Sequence, residues 1–473
     1  LVKEADIKGK LIPRENQLDA VEKYQDSPDG VLLYHSTGTG KTVSSLLAKE
    51  TDPDATAGVL VPAALRENYR KAVNQVTTDP ENYDIRSYDS AAAGDVPPQM
   101  DVLIADEVQR LRNQGKSYEG TLQAAAKAKK RILLSGTPLV NAPGDMASII
   151  NLLHGQQIYT PEEFEKRFAT EKVHGPFLGI FGKGGLTTNV AHRRELDKLL
   201  EGRVSYAGEE GSTKPTVTEA SVPVEMSPEQ DKLYRLLEEK LPFWSRWAVR
   251  HNLPVEKQQS PQLNAFLSGM RQVSLSPYGF NRRLAPYDAF RQSPKLQQTF
   301  QTIQEELAKP KGKAMVYTNF PTAGFTPLAA ALDKAKIPYV QFDGSLSDEQ
   351  RKKAVNDYNY GRVRVVLVSP AGAEGISLKG TSKVSILDPH WNEARTDQAE
   401  GRAVRMDSHT YLPENLRNVA IDHYQSYPRR SLLGRWLGMQ GRTGSDQYIE
   451  SRSAERQKQL EQFLDVLREA GTR

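Results

Sequence analysis

Three groups of side chains in this sequence are spaced for phosphate chemistry. They are a Gly-Lys-Thr at 40–42, a carboxylate pair at 106–107, and Gln398, Arg402 and Arg405. The first closes the stretch VLLYHSTGTGKT (31–42), in which Thr37, Gly38, Thr39 and Gly40 precede Lys41 and Thr42. Backbone N–H groups of such a turn and of the helix after it point at β- and γ-phosphates. Lys41 adds a full positive charge, and the Thr42 hydroxyl is placed to ligate Mg²⁺. The strict pattern has Gly where this chain has His35. Asp106 and Glu107 directly follow the apolar run Val102–Ala105. Carboxylates at the C-terminal end of a buried strand lie where ligands collect in open α/β sheets. There Asp106 can hold the Mg²⁺ shell while Glu107 polarises an attacking water. At their spacing, Gln398, Arg402 and Arg405 share one helix face, so both guanidiniums reach a single target.

The elements that must hold these groups follow from the pattern around them. Val31 to Tyr34 read as a buried strand, and the helix-forming VSSLLAKE follows the loop. Ahead of it, Leu18, Val21 and Tyr24 recur at helical spacing, with Pro13 near the helix start. That helix carries Arg14 and Gln17, and an Arg-x-x-Gln ahead of a Gly-Lys-Thr is a recurring adenine-reading arrangement. A Gln amide offers a donor and an acceptor together, which suits the N6/N7 edge of adenine. A second strand, Val59–Val61, stops at Pro62 and leads into a basic helix with Arg66, Arg70 and Lys71. Those cations fit a phosphate backbone or a solvated face equally well. A third strand, Ile132–Leu134, runs into Ser135-Gly136-Thr137-Pro138. This repeated rhythm predicts a doubly wound parallel sheet. It resumes at Ala314–Tyr317, passes Phe342-Asp343-Gly344-Ser345 and VRVVLVS, and predicts a second parallel sheet with no phosphate loop of its own.

Composition limits the alternatives. The 473 residues allow two to four domains. No cysteine is present, which excludes disulfides, thiol nucleophiles and Cys-based metal centres, and the eight His lack ligand spacing. No apolar run approaches the ~18–20 residues of a membrane helix, and the first residues lack a signal-peptide core. These features predict an intracellular protein that is neither membrane-bound nor secreted. A net charge of +4 permits a nucleic-acid partner without establishing one. In the middle of the chain, the run from Gly175 to Gly185 reads as a mobile or ligand-dependent loop. Ser227, Pro228 and Gln230 mark a helix start. Trp244 and Trp247, three apart, fit core packing better than base stacking.

Phosphate loop, Asp106-Glu107-Val108-Gln109 and Ser-Gly-Thr-Pro, in that order, resemble the first motor domain of a superfamily 2 helicase or translocase. The stretch DPHWNEARTDQAEGRAVRMDSH narrows the resemblance to the Swi/Snf-like branch, near the nucleoside triphosphatases and early-transcription-factor ATPases of large DNA viruses. His35 fits that group, whereas Ser36 departs from it. The resemblance implies an α/β fold of two RecA-like lobes: 1–205 as the first and 296–440 as the second. Residues 206–295 would be a linker and helical insertion; beyond the resemblance, which spans roughly residues 10–425, the composition of 441–473 predicts a charged helical tail. The resemblance implies ATP and Mg²⁺ as cofactors, Glu374-Gly375 as a coupling motif with Gly375 at the nucleotide, and Pro62, Arg66, Thr137, Gly344 and Ser345 at nucleic acid. Gln398 and Arg402 would then act beside Arg405 as the arginine finger, a role worth ~10³–10⁵ in rate. The implied protein is a monomeric motor that hydrolyses ATP to move along duplex DNA, with an RNA polymerase as a candidate protein partner. A strand-separating DNA or RNA helicase shares these motifs. A non-motor scaffold that keeps the fold is a third reading, and the intact Lys41, Asp106, Glu107 and Arg405 argue against it.

Overall fold

The computed structural model describes residues 12–36, 38–98, 100–174, 185–208, 215–250, 260–373, 376–388, 403–404, 408–429 and 444–472. Thr37, Glu374, Gly375, Gln398, Arg402, Arg405 and most of the glycine-rich run lie outside the described residues. The chain forms two compact units. One comprises residues 1–172, 186–212 and 456–473; the other comprises 173–185 and 213–455. Both are α/β, and each is built on a six-stranded sheet in which every strand pair is parallel.

In the first unit the strands are β1 (Gly30–His35), β2 (Ala57–Val61), β3 (Tyr83–Ser87), β4 (Val102–Asp106), β5 (Lys130–Ser135) and β8 (Val204–Ala207), in the order β3-β2-β4-β5-β1-β8. Between β5 and β8 in sequence, β6 (Ala169–His174) and β7 (Gly185–Val190) make a separate ribbon. β1, β2 and β4 are buried along their whole length. Parallel strands covered on both faces need such continuous apolar runs. Alternate residues feed two cores: Leu32, Leu60, Leu103 and Leu133 face one way, and Val31, Val59, Ile104 and Ile132 the other. α1 (Glu15–Asp26), α2 (Lys41–Lys49) and α3 (Arg66–Val76) belong to the second of these layers through Ala20, Val21, Leu46, Leu47, Tyr69 and Val73.

Residues Ser445–Thr472 form one helix, as their composition predicts, but its end is no free tail. Leu460, Phe463, Leu464, Val466 and Leu467 are buried in the core of the first unit. The Phe463 ring lies 6.1 Å from that of Phe164. Gly471 comes so close to β8 that a Cβ there would stand 2.5 Å from the Cβ of Tyr206. Earlier on the same helix, Tyr448 and Ile449 are buried with Met226, Tyr234 and Leu267 of the second unit. Phe463→Ala is expected to cost about 3–5 kcal/mol, the usual loss for truncating a fully buried Phe. Urea unfolding followed by circular dichroism would measure it.

The second sheet has the order β11-β12-β10-β13-β14-β9. Its strands are β9 (Thr216–Glu225), β10 (Ala314–Tyr317), β11 (Tyr339–Phe342), β12 (Val365–Val368), β13 (Lys383–Ile386) and β14 (Asn418–Tyr427). After β9, Ser227 caps the helix Pro228–Glu238 in a reciprocal capping box with Gln230, as the sequence predicts. Trp244 corrects an expectation. The helix Phe243–Arg250 turns Ser245, Ala248 and Val249 inward, which leaves Phe243 62% and Trp244 70% exposed. Inward small residues at spacing 3 and 4 already complete the apolar face, so the larger rings lie outside it.

Candidate active site

Parallel strands place their C-terminal ends along one edge of a sheet. In the first unit that edge collects the residues predicted for phosphate chemistry: the loop after β1, Pro62 after β2, Asp106-Glu107 at the end of β4, and Ser135 to Thr137 after β5.

The loop turns through Gly38 and Gly40, both left-handed at φ 89° and 86°, and α2 begins at Lys41. Only glycine adopts these angles without strain. The free N–H groups of α2's first turn, with Thr42 among them, form an anion cradle. Lys41 Nζ donates to the carbonyl oxygens of His35 (2.8 Å) and Ser36 (3.3 Å). Burial lowers the Lys41 pKa, and the charges of Glu107 and Asp106 partly offset this.

Gln17 sits beside the loop and is buried. Its Oε1 accepts from the Arg14 N–H at 2.9 Å, and its Nε2 would be 2.7 Å from a Cβ placed on Gly40. Arg14 is exposed at the head of α1. Next to Gln17, Asn16 donates to the Thr39 carbonyl at 3.2 Å. Gly40→Ala therefore meets both a positive φ and the Gln17 amide. It is expected to weaken nucleotide binding at least 10-fold, by the order of cost that strained and overpacked positions carry. Titration with a fluorescent ATP analogue would read this.

Asp106 is 8% exposed, and Tyr88 donates to its backbone carbonyl at 2.6 Å. Burial first, and then the neighbouring Glu107, push the Asp106 carboxyl up to about 7; Lys41 and the Glu107 N–H oppose the shift. A buried carboxyl beside a partly exposed one, with only partial compensation from one lysine, is a site that gains from a cation. Thr42 and Asp106 supply the hard oxygen donors that Mg²⁺ takes, so the residues present fit that ion. Glu107 is left-handed at φ 56°, uncommon for a side chain of its size and frequent where function fixes the backbone.

Gln109 donates to the Glu107 carboxylate and accepts from Ser135 Oγ at 2.7 Å; Ser135 Oγ in turn accepts from the Thr137 N–H at 3.2 Å. One hydrogen-bonded line thus runs from the carboxylate to the Ser-Gly-Thr turn. Pro62 is buried at the end of β2, and Arg66, which opens α3, is exposed.

In the second unit the corresponding edge carries Gly344 and Ser345 after β11. Gly344 is left-handed at φ 89°, and Asp343 accepts from the Ser345 N–H (3.0 Å) and Oγ (2.6 Å). At the end of β13, fully buried Asp388 pairs with Arg271 at 2.7 Å. It also accepts from the side chains of Thr318 and Asn319 and from the Asn319 N–H. Gln398, Arg402 and Arg405 lie outside the described residues.

Sequence reasoning missed Asn16, Asp19 and Ser205, which also surround the loop. Ser205 Oγ donates to Asp19 Oδ2 at 2.7 Å and meets His35 Nε2 at 2.9 Å. Ser205 lies 170 residues from His35, and the VSYA of β8 has no strong strand pattern to announce it.

Comparison with known proteins gives an SNF2-related domain over residues 81–277 and a helicase conserved C-terminal domain over 298–407. The chain is 28% identical to a putative ATP-dependent RNA helicase of Acanthamoeba polyphaga mimivirus, covering 87% of this chain and 88% of the relative. It is 24% identical to a termination factor NPH-I homolog of African swine fever virus, over 93% and 76% of the two chains. Identity to nucleoside triphosphatase I of Choristoneura biennis entomopoxvirus is 23%, over 84% and 71%. Among solved structures, the Sulfolobus solfataricus SWI2/SNF2 ATPase core in complex with dsDNA aligns over 98% of this chain and 97% of its own. That alignment has 19% identity and a TM-score of 0.37.

Proposed function

We infer, for a chain that belongs to the SNF2-related helicase family and is a nucleic-acid-dependent ATPase, that it is a motor moving along duplex DNA. The observation that carries this reading is the line Glu107–Gln109–Ser135–Thr137. It joins the carboxylate placed for water activation to the turn expected at nucleic acid, so occupancy of one end bears on the pose of the other.

In this reading the loop N–H groups and Lys41 bind the β- and γ-phosphates, and Gln17 and Arg14 read the base. Lys41 leaves the carbonyls of His35 and Ser36 to do so. Mg²⁺, held by Thr42 and Asp106, would supply charge neutralisation between the phosphates. Glu107 orients the attacking water and takes its proton, and Gln109 holds the Glu107 carboxylate in place. Arg402 and Arg405 would supply positive charge to the transition state, with supporting roles for Gln398 and for Gly375 of the coupling motif. Pro62, Arg66, Thr137, Gly344 and Ser345 meet the DNA backbone, which makes binding salt-dependent and largely independent of sequence. One relative is named a termination factor NPH-I homolog; for this chain we propose an intracellular role as a monomer, with an RNA polymerase as a candidate protein partner. No described helix is long and apolar enough to cross a membrane.

The test compares ATPase stimulation by duplex and single-stranded DNA with triplex-strand displacement and duplex unwinding. Displacement of a triplex strand without unwinding supports the translocase. Robust unwinding supports a strand-separating helicase instead, a reading favoured by the exposed Phe243 and Trp244, which are suited to wedge against a base pair.

A further inference from the structure

His35, the last residue of β1, stands where glycine serves in the strict phosphate-loop pattern, and it is completely buried. Among the described residues its Nδ1 has no hydrogen-bond partner. A buried imidazole with one bare nitrogen carries a desolvation cost that a smaller apolar residue would avoid, so its retention calls for a reason. The hydrogen-bond inventory assigns its tautomer. Ser205 Oγ has a single proton and gives it to Asp19 Oδ2, a carboxylate oxygen that can only accept. The 2.9 Å contact between Ser205 Oγ and His35 Nε2 is then a donation from His35 Nε2–H, which leaves Nδ1 as the unprotonated nitrogen. Burial, with Lys41 nearby, holds the ring neutral. The result is a directed chain from His35 through Ser205 to Asp19. It starts at the buried last residue of β1 and ends on a half-buried carboxylate of α1.

The two ends of this chain touch the chemistry. At one end the His35 carbonyl accepts from Lys41 Nζ, so the backbone that the imidazole anchors is the perch of the phosphate-binding lysine. At the other end Asp19 is two residues from Gln17, on a helix that also touches the loop through Asn16 and through Gln17 against Gly40. α1 therefore grips the loop at three places, and a short helix moves as one piece.

We propose that Asp19, Ser205 and His35 are positioning residues that tie the seat of α1 to the phosphate loop, so that the fit of the base at Gln17 sets the rate of hydrolysis. The proposal rests on the reading of this edge as the ATP site. None of the three touches the reacting atoms.

The test uses the full chain with saturating DNA. It measures kcat and KM for ATP and GTP in the wild type, Ser205→Ala, Ser205→Thr and Asp19→Asn, with thermal melting as a control. Ser205→Ala and Asp19→Asn are expected to lower kcat for ATP by about 10-fold, the scale of a modest misplacement of catalytic groups, with a smaller change in KM. The ATP-to-GTP ratio of kcat should fall in step, and Ser205→Thr, which restores the hydroxyl, should recover it. The proposal is overturned if both variants melt earlier but keep the wild-type kcat and base preference, or if only KM rises. Failure of the wild type to hydrolyse ATP would instead remove the reading of the site on which the proposal stands.

Discussion

Replacing Glu107 by Gln is expected to lower ATP turnover by about 10²–10⁴-fold, the usual contribution of a positioned general base, while ATP binding persists. The structure explains why the two effects separate. Glu107 is held by the Gln109 amide, and a Gln at 107 still offers an acceptor oxygen to it, so the side chain keeps its place and loses only its basicity. The phosphate cradle of Gly38 to Thr42 is built from backbone groups and Lys41, none of which the substitution touches. Single-turnover hydrolysis, paired with titration of a fluorescent ATP analogue, measures both quantities. Unchanged turnover would reassign the water-activating role.

Asp106→Asn is expected to abolish hydrolysis and to stabilise the nucleotide-free protein, an opposition that follows from the carboxyl's raised pKa. In the unfolded chain the group ionises near 3.8, and in the fold at about 7. Between those values the native state holds the extra proton. Stability therefore falls as pH rises through this window, and the full cost is present at pH 8. Asn carries no charge to bury. It should gain about 2–4 kcal/mol at pH 8 and nothing below about pH 4, where both states of the wild type are protonated. Urea unfolding at several pH values reads the curve. Because a carboxyl must lose its proton to bind a cation, the Mg²⁺ requirement for hydrolysis should rise as pH drops below about 7. A flat stability difference across pH would show that Asp106 is not the group responsible.

What the sequence made legible was whatever local pattern encodes. Buried parallel strands are continuous apolar runs, so β1, β4 and β10 could be placed almost to the residue, and the carboxylates at the end of β4 with them. The Ser227 cap has a four-residue signature and was equally plain. β8 is a different matter: its four residues include a buried serine, and it is a strand only because β1 lies beside it. The Asp19–Ser205–His35 chain was invisible for the same reason, since its partners are brought together by the fold and not by spacing. Trp244 misled because its three-residue spacing from Trp247 suggested one buried face, whereas the small residues at 245, 248 and 249 had already filled the inward face.

The residues from 456 onward have a consequence for biosynthesis. They complete one of the two cores of the unit that contains α1, so that unit lacks Leu460, Phe463 and Leu467 until the stretch from residue 456 has been made. Domains commonly fold in order as they leave the ribosome, but this one must wait for the helix Ser445–Thr472 with part of its apolar surface uncovered. A nascent chain stalled before residue 456 should be a better chaperone client than the finished protein. A fragment cut after residue 212 should recover solubility when the C-terminal helix is supplied as a separate peptide.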